Sequence, residues 1–337
     1  MRLSEDKYSK YALCREMLET PELVRGFDPG AGAPFAGQIK KAGGLFLTGE
    51  GSSRIFPAKR AIYEAMTGEK NIPVLTEGAT QALEYDLSGY GVFGASNSGK
   101  TKELVRLFSR MKKNGHNTFF GLTANKDTPL EGLALKTHIL SCGKENAVAA
   151  TKSVVEQGLF YNSLVSSLQD KDLPDLSNAA ESIERVLTQD VEPEFINKIK
   201  NADTIYFAGR NNGVAEELRL KTNEITRKKS DYLEGTYAVH GIEEVMNPND
   251  VVIVIDPFED EEEKFRECLV EGVGLTVIAV SCRKTGFPTM IIPDGGYYRN
   301  YVELAAGWNL LVEVGISLGI DLDKPVRARK VGNEFAG

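Results

Sequence analysis

Eight consecutive residues, Gly94-Ala95-Ser96-Asn97-Ser98-Gly99-Lys100-Thr101, bring together the glycines, hydroxyls and cation that hold a phosphate. They fit the nucleotide-loop pattern G-x-x-x-x-G-K-[ST]. They also form a Ser/Thr-rich connection between an apolar strand (Tyr90–Phe93) and a helical pattern (Lys102–Lys112), as a sugar-phosphate pocket requires. Both readings use the same physics: backbone N–H groups and the positive end of a helix dipole converge where a loop enters a helix. The plainer reading is a strand–helix turn with one capping serine. A cap rarely needs four adjacent polar residues.

A second group could move protons. Glu217, Lys221 and Glu224 are spaced by 4 and 3 residues, which places them on one face of a helix. They flank the apolar stripe Val214, Leu218 and Ile225, at the edge of a buried region. Spacing alone favours a solvated ladder of ion pairs. Of the three histidines, His240 precedes a glycine, while His116 and His138 are read as surface or packing residues. The four cysteines (Cys14, Cys142, Cys268, Cys282) form no C-x-x-C, and no His/Cys/Asp cluster has ligand spacing. No metal, cofactor or disulfide framework is therefore expected.

Composition narrows the partners. A net charge of −8 argues against a nucleic-acid surface, and no helix-turn-helix segment is evident. A small anionic ligand in a local basic pocket remains compatible with it. No apolar run reaches membrane-spanning length. The first residues, MRLSEDKYSKYALCREML, lack an apolar signal core. The expectation is a cytoplasmic chain with no membrane contact.

The elements that must position these residues form a repeat. An amphipathic helix is expected over residues 5–25, ending before the Gly/Pro-rich FDPGAGAPFAGQ. Strands are predicted at 44–48, 72–75, 90–93, 118–122 and 137–140, with helices at 54–66 and 102–112. The pattern recurs with strands at 203–207, 251–255, 275–280 and 290–292, and a helix at 214–228. Helices at 152–168 and 177–189 lie between the halves, and one at 300–318 follows. Alternating strands and helices imply parallel sheets covered on both faces. The fold class is α/β: two tandem αβα sandwich subdomains with parallel sheets, flavodoxin-like or Rossmann-like. The expected division is 1–150 for the first subdomain with its leading helix and 151–190 for a helical connection. The second subdomain follows at 191–320, and a tail at 321–337 contributes to the site. The strand Val251–Asp256 also looks like the Walker B strand of a nucleotide hydrolase, but the duplication explains it without a magnesium role.

At these residues the chain resembles the sugar isomerase (SIS) domain family over about residues 40–331. It looks most like the isomerase half of glucosamine-6-phosphate synthase and the stand-alone phosphosugar isomerases, deaminases and fructosamine-phosphate deglycases. No glutaminase half is expected, since no N-terminal cysteine is present to begin one. Gly51-Ser52-Ser53 resembles the family's first phosphate loop, with Ser53 as ligand and Ser52 beside it. The family's Ser-Gln-Ser-Gly-Glu-Thr loop matches residues 96–101, which implies that Ser96, Asn97, Ser98 and Thr101 hold phosphate and sugar hydroxyls. The family's Glu-x-x-Val-Ala-Ser-Thr-Lys segment matches Glu145–Lys152 and implies a backbone contact at Val148. The resemblance reverses the bland reading of the charged helix. It implies Glu224 as general base, His240, 16 residues on, as the ring-opening histidine, and Lys330 as the tail lysine of the site. Glu217 and Lys221 would line the same site.

The chemistry suits these residues. One carboxylate can take a proton from one carbon of an open sugar and return it to the next through an enediol. An imidazole can shuttle the ring-hydroxyl proton. Lys221 and Lys330 can stabilise an oxyanion, or a lysine can form an imine with an open ketose. The chain departs from the family at Lys100 (an acid there), Asn97 (Gln), Ala150 (Ser), Arg329 (a small residue) and Ile242 (Pro). Lys100 and Arg329 are further candidate anion contacts, so sulfonate or carboxylate sugars join phosphates as candidate substrates. The leading expectation is an aldose–ketose isomerase for a 6-phosphorylated or similarly anionic sugar. It would act as a homodimer whose histidine completes a neighbouring subunit's site. Deamination or deglycation of an amino-sugar phosphate, a non-catalytic sugar-phosphate sensor and a nucleotide hydrolase are the alternatives.

Overall fold

The computed structural model describes residues 1–70, 72–327 and 334–335. Its strands are β1 (Leu45–Gly49), β2 (Val74–Gly78), β3 (Gly91–Ala95), β4 (Phe119–Thr123), β5 (Lys136–Ile139), β6 (Thr204–Gly209), β7 (Lys229–Glu234), β8 (Val251–Ile255), β9 (Thr276–Ser281) and β10 (Thr289–Ile291). They form two five-stranded sheets, ordered β2-β1-β3-β4-β5 and β7-β6-β8-β9-β10. Every pairing is parallel. Counted along the chain, both sheets have the doubly wound order 2-1-3-4-5. The α/β class and the tandem duplication expected from the sequence are thus the observed architecture.

The chain divides into two compact units. One holds the first sheet: Leu23–Glu145, Ala150–Asp175 and, among the described tail residues, Arg327, Glu334 and Phe335. The other holds the second sheet: Met1–Glu22, Asn146–Ala149 and Leu176–Val326. The leading residues, grouped with the first subdomain on sequence grounds, therefore lie in the unit of the second sheet. There Asp323 accepts the backbone N–H groups of Ala12 (2.6 Å) and Leu13 (2.9 Å), satisfying the start of helix Ala12–Leu18.

The first sheet is buried on both faces, and period-2 alternation sorts its side chains. Phe46, Val92 and Phe119 pack with Leu104, Leu107, Phe108 and Met111 of helix Lys102–Lys113. On the other face Phe93 meets Phe35 and Phe160, with ring centroids 5.1 and 5.3 Å apart. Phe160 belongs to helix Lys152–Leu168, which is buried along most of its length. His138 stacks on Phe160 at 4.5 Å, and its burial lowers its pKa, as suits a packing residue.

In the second unit Tyr206, Val252, Val254, Val277 and Ala279 share a core with Ala238, Val239, Phe265 and Leu269. Helices Val214–Thr226 and Arg299–Ser317 pack together closely. A Cβ on Gly307 would lie 2.4 Å from the Leu218 side chain, so only glycine permits that approach.

Three elements differ from expectation. The leading helix is divided into Asp6–Ser9, Ala12–Leu18 and Thr20–Arg25. The Gly/Pro-rich stretch contains a helix, Ala33–Ala42, with Pro34 in its first turn, where a missing N–H costs nothing. β7 lies at a sheet edge in a segment for which no strand is expected.

Candidate active site

In the first unit, β1 and β3 are neighbours with Gly49 opposite Ala95. The helix after β1, Ile55–Thr67, packs against helix Lys152–Leu168 on one face of the sheet. The helix after β3, Lys102–Lys113, covers the other face. Two loops therefore leave the same strand ends in opposite directions, and the crevice between them is the switch point where doubly wound sheets bind ligands. These are the loops carrying the candidate phosphate contacts. Gly51–Ser53 is a tight turn with Ser52 buried and Ser53 half-buried.

The second loop is shaped by its own hydroxyls. Ser96 Oγ accepts the Gly99 N–H at 3.1 Å and lies 2.8 Å from Thr101 Oγ1. Ser98 Oγ accepts the Lys100 N–H at 3.2 Å. Ser96 is 2% exposed, whereas Asn97 and Ser98 are half-buried. Gly99 has φ +65, and a Cβ there would lie 2.4 Å from Thr128 Oγ1. Glycine is thus required for both conformation and space. Thr123 Oγ1 (3.0 Å) and Asn125 Nδ2 (2.7 Å) both donate to the Asn97 carbonyl.

Glu145 organises the loop from beneath, a role that spacing does not show. It is 1% exposed. It accepts from Asn97 Nδ2 (2.9 Å), the Thr151 N–H (2.7 Å), Thr151 Oγ1 (3.1 Å) and the Ser153 hydroxyl. Glu50, at the end of β1, accepts the Ala79 N–H at 3.0 Å, and burial raises its pKa against that hydrogen bond. Lys100 is exposed, and its carbonyl accepts the Phe335 N–H at 2.7 Å, while Thr101 pairs antiparallel with Glu334. Lys330 and Arg329 lie outside the described residues.

The nucleotide-hydrolase reading needs its two motifs in one sheet. The octapeptide begins at the end of β3 of the first sheet, and Val251–Ile255 is β8 of the second, with Asp256 just after it. Asp256 is engaged by Arg210 Nε at 2.9 Å, with Arg299 at 3.8 Å. Arg210 thus spans the second sheet's own switch point, between the ends of β6 and β8. Its guanidinium also stacks over Phe258 at 4.1 Å.

The second unit places the charged helix face as its spacing implies, but buries most of it. Lys221 Nζ lies 3.3 Å from Glu217 Oε1 and 2.8 Å from Glu224 Oε2. Lys221 and Glu217 side chains are 0% exposed, and Glu224 is 26% exposed. A solvated ladder would leave all three wet. The buried ammonium is balanced by two carboxylates, and only Glu224 reaches the surface. His240 is exposed and lies 3.2 Å, Nε2 to Nζ, from Lys264, a neighbour 24 residues away that no sequence pattern indicates. Val148 is half-buried in the stretch Asn146–Ala149, where Glu16 Oε2 accepts the Ala147 N–H at 3.2 Å. Among the described residues, no group of three His, Cys, Asp or Glu is placed to hold a metal ion. No described helix is long and apolar enough to cross a membrane.

Residues 38–167 match the SIS domain family. No curated protein matches the chain in sequence. Several solved structures share its fold. The C-terminal domain of glucosamine-fructose-6-phosphate aminotransferase from Francisella tularensis is 18% identical with a TM-score of 0.77, covering 95% of this chain and 100% of that one. Tagatose-6-phosphate ketose/aldose isomerase from Escherichia coli is 16% identical with a TM-score of 0.79, covering 96% and 98%. Glucosamine-6-phosphate deaminase from Thermotoga maritima is 19% identical with a TM-score of 0.71, covering 96% and 99%. The chain thus matches the SIS domain family over residues 38–167, and its two tandem sheets have the fold of these three solved structures.

Proposed function

We propose that this protein is an aldose–ketose isomerase acting on a 6-phosphorylated or similarly anionic sugar. The observation that carries the reading is the buried Glu217–Lys221–Glu224 triad. It presents one carboxylate at the surface and keeps its counter-ion out of water. A buried ion pair costs desolvation that its attraction barely offsets, so the burial calls for another purpose. The names of the similar structures, an isomerase, a deaminase and an aminotransferase of 6-phosphosugars, support the substrate class.

In this reading the hydroxyls and N–H groups of Ser53, Ser96, Asn97, Ser98 and Thr101 hold the anion, with Lys100 adding positive charge. His240 assists ring opening. Glu224 then takes the proton from C2 of the open aldose and returns it to C1 of the enediol, giving the ketose. Lys221 and Glu217 keep Glu224 in position, Val148 contributes backbone, and Lys330 is assigned the oxyanion. The exposed His240 segment suits a homodimer in which the histidine serves a second copy's site. Deamination or deglycation of an amino-sugar phosphate begins with the same proton transfer and is the second reading, supported by the similarity to the Thermotoga deaminase.

The test is incubation in D2O with glucose, fructose, glucosamine and fructosamine 6-phosphates, followed by proton NMR. Interconversion with deuterium entering at C1 or C2 is the expected result. Release of ammonia would favour the second reading. No exchange with any of the four, together with thermal stabilisation by ATP and magnesium alone, would overturn both.

A further inference from the structure

The contact between Lys264 and His240 fixes more than a position. Lys264 Nζ lies 3.2 Å from His240 Nε2. An ammonium group only donates hydrogen bonds. Nε2 must therefore be the acceptor, and the proton of the neutral ring sits on Nδ1. We propose that Lys264 is a positioning residue that holds His240 in its Nδ1–H form. The ring then offers a donor to the substrate's ring oxygen. This rests on the reading of His240 as the ring-opening group.

The contact is built from the core upward. Lys264 sits in the short helix Glu262–Phe265, and the adjacent Phe265 is buried in the same cluster as Ala238 and Val239, which precede His240. The His240 N–H donates to the Tyr237 carbonyl at 3.2 Å, and the Gly241 N–H donates to Glu243 Oε2 at 2.7 Å. On the other side Glu262 is bound by Arg283 (2.5 Å) and the Gly286 N–H (2.7 Å). Both backbones are thus anchored independently of the side chains that meet. Of the charged neighbours on the helix, Glu263 is engaged by Arg266.

The chemical consequence is a direction for proton flow. As the C–O bond to the ring oxygen breaks, Nδ1–H donates a hydrogen bond to the negative charge growing on that oxygen, while Nε2 stays bonded to the ammonium. The anomeric hydroxyl loses its proton to water as the carbonyl forms, and water delivers a proton to the ring oxygen. Net, one proton has passed from the anomeric hydroxyl to the ring oxygen, and the imidazole ends as it began. The opposite tautomer would present a lone pair where a donor is needed. The wrong tautomer is a severe defect in catalytic histidines, as the serine-protease triad shows.

The experiment is a long-range 15N–1H correlation spectrum of the imidazoles in the full chain, with the His240 signals assigned through His240→Gln. Only three histidines contribute, so the spectrum is simple. The Nδ1–H pattern is expected in the native protein. Lys264→Met should convert His240 to a mixture dominated by Nε2–H and lower kcat on cyclic hexose phosphates by about tenfold or more, with KM little changed. Lys264→Arg, which also only donates, should restore the pattern and most of the rate. Unchanged His116 and His138 signals in each variant report that the fold is intact. A native Nε2–H pattern, or a Lys264→Met protein with native tautomer and rate, overturns the proposal. Full turnover by His240→Gln on cyclic sugars would instead overturn the role of His240 itself, whatever the tautomer.

Discussion

Lys221 and Glu224 meet at 2.8 Å, one side chain wholly buried and the other 26% exposed. Glu217 completes the balance from the opposite side at 3.3 Å. The arrangement separates two jobs, because Glu224 is partly exposed while Lys221 is wholly buried. Glu224→Gln should lower kcat by roughly a hundredfold or more while leaving ligand affinity near native. Lys221→Met should destabilise the fold by about 3–5 kcal/mol, since it removes the buried ammonium that faces Glu217 and Glu224. Steady-state kinetics and urea unfolding check the pair. A stable, active Lys221→Met protein would contradict the assignment.

Glu145 holds the loop through Asn97, whereas Ser98 belongs to it, and the two should fail differently. Ser98→Ala removes a half-exposed hydroxyl and should weaken binding of phosphorylated sugars by about tenfold with stability nearly unchanged. Glu145→Gln turns an acceptor of four hydrogen bonds into a group with donors facing donors. It should reduce stability by about 1–3 kcal/mol and weaken binding as well. Isothermal titration beside urea unfolding distinguishes them. Native affinity in both variants would remove the loop from the binding site.

Burial raises the pKa of Glu303 from its ordinary 4.5 to about 7, with the Asn300 amide and the charges of Arg299 and Arg210 pulling the other way. Between these values the folded chain holds a proton that the unfolded chain has lost. The Glu303 contribution is therefore fully present below pH 4.5 and falls as pH rises through about 7. Glu303→Gln cannot ionise. It should match the native protein near pH 4.5 and exceed its stability at pH 8 by roughly 3 kcal/mol. Unfolding free energies at the two pH values measure this, and identical pH slopes for the two proteins would refute it.

The parts of the fold legible in the sequence are those where local pattern and burial agree. The runs Val251–Ile255 and Gly91–Ala95 are fully buried strands, and continuous apolar residues are what parallel sheets require there. β7 has the sequence KSDYLE and is mostly exposed or half-exposed, so no apolar alternation marks it. Pairing with β6 makes it a strand, and that is a tertiary cause. Helix Ala33–Ala42 is masked by glycines and a proline, yet Phe35, Ala36 and Ile39 pin one face of it to the core. The positions of Ser96–Thr101 and of Glu217, Lys221 and Glu224 follow from motif and spacing. Glu145 beneath Asn97 and Lys264 beside His240 depend on contacts 48 and 24 residues apart, which no local pattern encodes.

The second switch point has a different kind of consequence. Arg210 and Asp256 bridge the same strand-end gap that hydroxyl loops frame in the first sheet. One copy of a duplicated scaffold has kept its opening, and the other has sealed it with charge. The residues assigned to acid–base chemistry in that copy, such as Glu224, lie instead on the neighbouring helix Val214–Thr226. The same seal marks a place for redesign: exchanging Arg210 and Asp256 for small hydroxyl residues would reopen a crevice whose backbone the inherited strand order already provides.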